Sequence, residues 1–258
     1  MERYNDSGNR ITRDPSRTAG RRMSAPDRCL QSEIPAFGQR GGGERSVGRL
    51  IDIARLEDSK VETEPMPHVV VPKFLFPDAL DDILTDFPRV AEPRNHAIGR
   101  FEHGPSFGEL LEELSDPEWV RILGEKLGVP ELPELPFNTT VRGFSEASDG
   151  HIHTDHWSKV VTALIYPNQE WTAEGGRLRI LRSATDIEDY ATEIAPVDGT
   201  LLGFRRSSTS FHGHRRYVGP RRVIQISWLR RSPVARASQS LARLATHLAK
   251  RVGLHVDR

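Results

Sequence analysis

The stretch GHIHTDHWSKVVTALIYPN, Gly150 to Asn168, decides how the chain reads. Its first half crowds His151, His153, Asp155 and His156 together, and its second half is the aliphatic, β-branched sequence of a strand. In extended backbone, residues two apart share a face. His151, His153 and Asp155 are therefore expected on one side, with Ile152, Thr154 and His156 on the other. On the first side, His153 and Asp155 offer an imidazole and a carboxylate to a single ion. Two such groups hold a catalytic metal poorly, so a third ligand is expected from a distant strand.

Downstream, SFHGHRRYVGPRRVIQISWL (Ser210 to Leu229) can supply it. The extra imidazole is His212 or His214. A turn at Gly219-Pro220 follows, and then an arginine opens a strand. Two imidazoles and one carboxylate around open positions suit a non-haem Fe(II) centre. A nearby arginine has a specific use, because its planar fork takes a carboxylate through two parallel charge-assisted hydrogen bonds. Period-two counting sets Arg222 on one face with Ile224, Ile226 and Trp228. A buried arginine is costly without a partner, so one that heads an apolar face is expected to hold an anion.

Working outward, TTVRGF, KVVTALIY, GGRLRILR, DYATEIAP, GTLLGFRR and RRVIQISWL are strand candidates separated by Gly, Pro, Asn or Asp. Many short strands at nearly regular spacing predict a sandwich or barrel. Before them lie the strand HVVV, a helix entered through Pro77, and two helix starts. Ser106 and Glu109 have capping-box spacing. Asp116 and Pro117 open the second of these helices and Gly128 closes it. The expectation is an α+β domain over residues 65–232, with N-terminal helices packed on a double-sheet core. Residues 1–64 read as an Arg/Gly/Ser-rich tail too poor in apolar groups to offset its chain entropy, or as sequence upstream of a later start. Residues 233–258 read as a basic amphipathic helix, with Leu241, Leu244, Leu248 and Val252 on one stripe.

Thirty-six basic residues balance 36 acidic ones, so net charge provides no footprint for nucleic acid or membrane. The single cysteine, Cys29, excludes an intramolecular disulfide and favours a reducing, cytoplasmic setting. No apolar run approaches the ~20 residues of a membrane span.

From about Pro67 to Leu229 the chain resembles the iron- and 2-oxoglutarate-dependent dioxygenases, especially their prolyl-hydroxylase-like branch. HTD, VVTALIYPN, EW, GGRLRIL, APVDGTLLGF, SFHGH, RR and ISW occur in the order of that pattern. The resemblance implies a double-stranded β-helix, or jelly roll. It implies Fe(II) as the metal, held by His153, Asp155 and His212. The implied co-substrates are 2-oxoglutarate and O2, and ascorbate is a candidate reductant. The family places its arginine ten positions beyond the distal histidine, which selects Arg222 and pairs it with His212 rather than His214. Arg222 and Tyr166 would then hold the far carboxylate of 2-oxoglutarate.

Three departures stand out. Ile224 fills a position that carries a hydroxyl in some members, which shifts carboxylate recognition toward Tyr166 and Thr162. Phe144 replaces an upstream tyrosine, and Pro167 follows Tyr166 in place of leucine. His151 is expected to face the metal without binding it, and His156 to face solvent. Lys159 reads as a surface charge at a strand start, and Gly175-Gly176 as a tight strand entry. The implied activity is hydroxylation of a small-molecule or peptidyl substrate, with substrate choice in variable segments such as 89–107. Two alternatives fit the ligands alone: a non-catalytic jelly-roll binding protein, and a cupin-like metal enzyme of another class. Oligomeric state is not legible in the sequence.

Overall fold

The computed structural model describes residues 50–232. The expected C-terminal helix at 233–258 and most of the expected tail lie outside the described residues. The described end of that tail is ordered, which moves the start of the fold ahead of residue 65. Leu50, Ile51 and Leu56 are buried, and α1 (Ile53–Asp58) is capped by the Asp52 side chain. The apolar spacing of LIDIARL, hidden behind an Arg/Gly tract, is enough to dock this turn against the core.

Two short strands follow, β1 (Val61–Glu62) and β2 (His68–Val71). Pro77 then opens a 3-10 turn into α2 (Leu80–Thr85), which leads to β3 (His96–Ala97), α3 (Pro105–Glu113) and α4 (Pro117–Lys126). The start of α4 follows its sequence signals, with Asp116 accepting from the Glu118 N–H and Pro117 in the first turn. Gly128 stops it with φ +69°, a conformation glycine adopts without strain. The expected capping box of α3 does not form. That helix begins at Pro105, and the Ser106 N–H is taken instead by Asp86 Oδ2 at 2.7 Å. A carboxylate from the end of α2 thus replaces the local cap.

The remaining elements are β4 (Phe137–Ser145), β5 (Lys159–Tyr166), β6 (Leu178–Leu181), β7 (Tyr190–Ile194), β8 (Thr200–Arg205), β9 (His212–Gly213) and β10 (Gly219–Leu229). They build a seven-stranded sheet, ordered β1-β2-β8-β5-β10-β4-β3, facing a three-stranded sheet, ordered β7-β6-β9. All the named strand pairs are antiparallel. The fold is the α+β jelly roll expected.

The central strands are buried on both faces. Val161, Ala163 and Ile165 of β5, with Ile224, Ile226 and Trp228 of β10, join a core with Phe107, Leu110, Trp119 and Leu123 of the helices. Trp119 meets Trp228 edge-on at 5.8 Å. The alternate residues Leu164, Tyr166, Leu202, Phe204 and Val223 pack with Leu178, Ile180 and Ile194 of the small sheet. Removing a buried aromatic such as Trp119 from the first core costs about 3–5 kcal/mol. Among the described residues, no helix is long and apolar enough to cross a membrane.

Candidate metal centre

Backbone pairing brings the two histidines together. His153 forms a bridge to His212, with the His153 N–H donating to the His212 carbonyl at 3.0 Å and the reverse bond at 2.9 Å. The rings stand 4.3 Å apart between centroids. Asp155 lies on the same side, as alternation requires. One ligand atom from each of His153, Asp155 and His212 falls within 4.8 Å of the others. The carbonyl of His151 faces His153 Nδ1 at 2.9 Å, and that of Ser210 faces His212 Nδ1 at 3.0 Å. A carbonyl only accepts, so each Nδ1 carries the proton and each Nε2 keeps its lone pair for a metal.

The surroundings prepare this donor set. Burial, reinforced by the neighbouring His153, holds His212 down at about 4, so its ring is neutral at neutral pH. Burial alone would raise the Asp155 pKa, but Lys159 and the two imidazoles outweigh it and hold the carboxyl well below the usual range. Lys159 is not the surface charge expected of a strand start. Its Nζ donates to Asp155 Oδ1 at 2.7 Å, and both side chains are largely buried. The Thr162 hydroxyl, expected to face a ligand carboxylate, donates instead to Asp155 Oδ2 at 2.5 Å.

These three side chains line a cavity of about 360 Å³. Leu164, Leu178, Phe204 and Val223 give it an apolar lining, and Arg221 lines the same cavity. Here the structure departs from the expected register, because Arg221 and not Arg222 lines the cavity. The apolar face shared by Ile224, Ile226 and Trp228 lies against the helices, whereas Arg221, Val223 and Gln225 alternate toward the cavity. Arg222 sits where β10 shifts register beside Pro220, and its backbone N–H and carbonyl are both held by the Asn168 carboxamide.

Arg221 is buried, and its Nε donates to the Gly176 carbonyl at 2.9 Å. The Gly175-Gly176 entry of β6 therefore seats the arginine, with Gly176 at φ +78°. The Arg221 guanidinium carbon lies 5.4 Å from the Tyr166 ring centroid. The Tyr166 hydroxyl is buried and has no hydrogen-bond partner among the described residues. Burial lowers the Arg221 pKa and raises that of Tyr166, and the proximity of each group to the other partly offsets both shifts.

The cavity also has a polar wall that sequence reasoning missed. Arg142 pairs with Asp149 at 2.6 Å, and its Nε donates to Asn95 Oδ1 at 3.0 Å. Asn95 Nδ2 in turn reaches Gln225 Oε1 at 2.8 Å. Asn95 falls in the segment 89–107 expected to vary with substrate, but nothing in the sequence ties it to Arg142. His151 and His214 also line the cavity. Burial, aided by Arg221, holds His214 at about 4, and its Nδ1 faces the Arg215 carbonyl at 2.9 Å. His156 points elsewhere, its Nδ1 on the Ser158 hydroxyl.

Comparison with known proteins bears on this geometry. Residues 142–230 match the sequence profile of the 2OG-Fe(II) oxygenase superfamily. No curated protein sequence matches significantly. Among solved structures, the chain is similar to a Pseudomonas putida prolyl-4-hydroxylase, with 17% identity over 69% of this chain and 92% of that one and a TM-score of 0.48. It is also similar to a viral collagen prolyl hydroxylase from Paramecium bursaria Chlorella virus-1, solved as its 2OG complex. There the identity is 14% over 62% of this chain and 93% of that one, with a TM-score of 0.40. HygX from Streptomyces hygroscopicus, solved with iron bound, gives 12% identity over 63% of this chain and 81% of that one, with a TM-score of 0.42. The matched segment contains His153, Asp155, His212 and Arg221, so the residues gathered in the cavity lie within the part of the chain that is similar to the 2OG-Fe(II) oxygenase superfamily.

Proposed function

We propose that the protein is an Fe(II)- and 2-oxoglutarate-dependent dioxygenase that hydroxylates a substrate admitted past the Asn95–Arg142–Asp149 wall. One observation carries the reading. A single cavity joins a His-Asp-His cluster to a buried arginine whose guanidinium makes no salt bridge with a carboxylate of the described residues. Two neutral imidazoles and a carboxylate fit ferrous iron with positions left open. The Arg221 guanidinium and the unpartnered Tyr166 hydroxyl fit the far carboxylate of a dicarboxylic keto acid.

Iron with 2-oxoglutarate and O2 bound would supply the oxidising power, coupling decarboxylation of the keto acid to succinate and CO2 with hydroxylation of a C–H bond. The chain's own residues set the geometry. His153, Asp155 and His212 would hold the metal, and the carbonyls of His151 and Ser210 keep the imidazole lone pairs aimed at it. Arg221 and Tyr166 would fix the co-substrate at its far end. Leu164, Leu178, Phe204 and Val223 keep water from the path between. Asn95, Arg142, Asp149 and Gln225 meet the substrate along the polar wall.

Anaerobic titration of metal-free protein with Fe(II) and 2-oxoglutarate tests this without a substrate. A visible charge-transfer band of the chelate is expected in the wild type. His212→Ala is expected to lose the band entirely, and His214→Ala to keep it. A wild type that develops no band defeats the proposal.

A further inference from the structure

Asp155 enters the cluster with both carboxylate oxygens engaged, Oδ1 by Lys159 at 2.7 Å and Oδ2 by Thr162 at 2.5 Å. The Lys159 and Asp155 side chains are only 12% and 10% exposed, so solvent screens the pair weakly. Lys159 does not line the cavity, and whatever it does for ligands there acts through Asp155.

The arrangement changes the charge of the cluster. With both imidazoles as neutral ligands, a bare His-Asp-His set carries one negative charge, whereas this one, with Lys159 attached, carries none. A divalent metal then shares its carboxylate with an ammonium, and the two cations repel through a poorly screened interior. A dianion arriving at the metal relieves that repulsion. Metal and keto acid should therefore help each other bind, and by linkage the help is reciprocal.

We propose that Lys159 is a positioning residue that couples the two events, weakening divalent metal binding to the cluster alone and making metal retention depend on 2-oxoglutarate. The proposal rests on the dioxygenase reading above. It uses the fixed charge of Lys159 and the geometry of the pair.

The test measures dissociation constants for Fe(II) under anaerobic conditions, and for redox-inert Zn(II), with and without 2-oxoglutarate. Wild type, Lys159→Met and Lys159→Arg are compared. In the wild type, 2-oxoglutarate should tighten metal binding strongly. Lys159→Met should bind either metal alone roughly tenfold more tightly and show a correspondingly smaller gain from 2-oxoglutarate, within the span of ordinary couplings. Lys159→Arg keeps the charge and should restore wild-type behaviour. Should Lys159→Met fail to fold, Lys159→Gln also removes the charge and carries the same measurement. Unchanged or weaker metal affinity in the charge-free variant, with the chelate band still forming, overturns the coupling role and leaves the dioxygenase reading standing. Absence of the band in the wild type removes both.

Discussion

Two arginines of the β core are equally hidden and differently employed. Arg179 on β6 is 4% exposed, and Arg221 on β10 is 5% exposed. Arg179 finds its partners in the chain itself. Its Nε meets Glu193 at 2.7 Å, its Nη1 meets Glu188 at 2.9 Å, and its guanidinium lies 4.3 Å from the Tyr190 ring centroid. Arg221 has a backbone carbonyl and, beside it, a tyrosine hydroxyl with no hydrogen bond. A buried charge is tolerable only when compensated. Where the chain supplies the compensation, as at Arg179, the charge belongs to the scaffold. Where the chain supplies only a backbone carbonyl, as at Arg221, the charge is the one we propose to meet the far carboxylate of 2-oxoglutarate.

The contrast can be broken most directly at Arg221. Arg221→Ala should raise the 2-oxoglutarate concentration needed for half-formation of the chelate band by about 100-fold, the loss of a charge-assisted bidentate contact. Arg222→Ala should change it by less than about twofold, within the range of ordinary surface substitutions. Equal effects from the two would mean that the cavity wall has been assigned to the wrong arginine.

Acid should separate the two regions as well. His212 and His214 line the cavity with folded values near 4, below their ordinary 6.5, so unfolded chains bind protons first. Stability from these neutral rings is complete above pH 6.5 and is lost as pH falls toward 4. Around Arg179 the window lies lower. The Arg215 and Arg179 guanidiniums hold Glu188 at about 2, so its pairing persists until well below the ordinary 4.5. Metal-free protein should accordingly lose on the order of 3 kcal/mol for each of the two rings between neutral pH and pH ~4. Thermal unfolding measured across that range checks the sign, and a flat profile would count against it.

Arg179→Ala should cost about 1–3 kcal/mol of stability, leaving the requirement for 2-oxoglutarate unchanged. Chemical denaturation and the chelate titration, run side by side, would show whether the two effects separate. The smallest effect is expected from Tyr166→Phe. Removing a hydroxyl without a partner should leave the ligand-free protein as stable as before or slightly more so. It should weaken 2-oxoglutarate by about one hydrogen bond, roughly five- to tenfold.

Most of the strands, and the shared face of His153 and Asp155, were legible because local rules sufficed. The alternation around His153 and Asp155 puts both on one face whatever the rest of the chain does. The helix signals at Asp116, Pro117 and Gly128 are likewise contained within a few residues. Failures came where a distant group competed. Ser106 lost its capping role to Asp86, and Thr162 and Lys159 turned to Asp155. The arginine that lines the cavity is the neighbour of the one expected, for a related reason. Period two sorted Arg222 with Ile224, Ile226 and Trp228 correctly as one face, but an apolar face can front either a helix layer or a binding cavity.

By itself, then, the sequence determined which residues alternate, where the chain turns, and that two imidazoles and a carboxylate flank a run of strands. Only the tertiary structure decided which side of β10 meets the cavity, because both sides are covered and composition does not say by what. The joining of His153 to His212 was likewise decided there, by a single antiparallel bridge between segments far apart in the chain. Spacing along a strand is set by bonds between neighbours. What stands opposite that strand depends on how the whole chain buries its apolar surface.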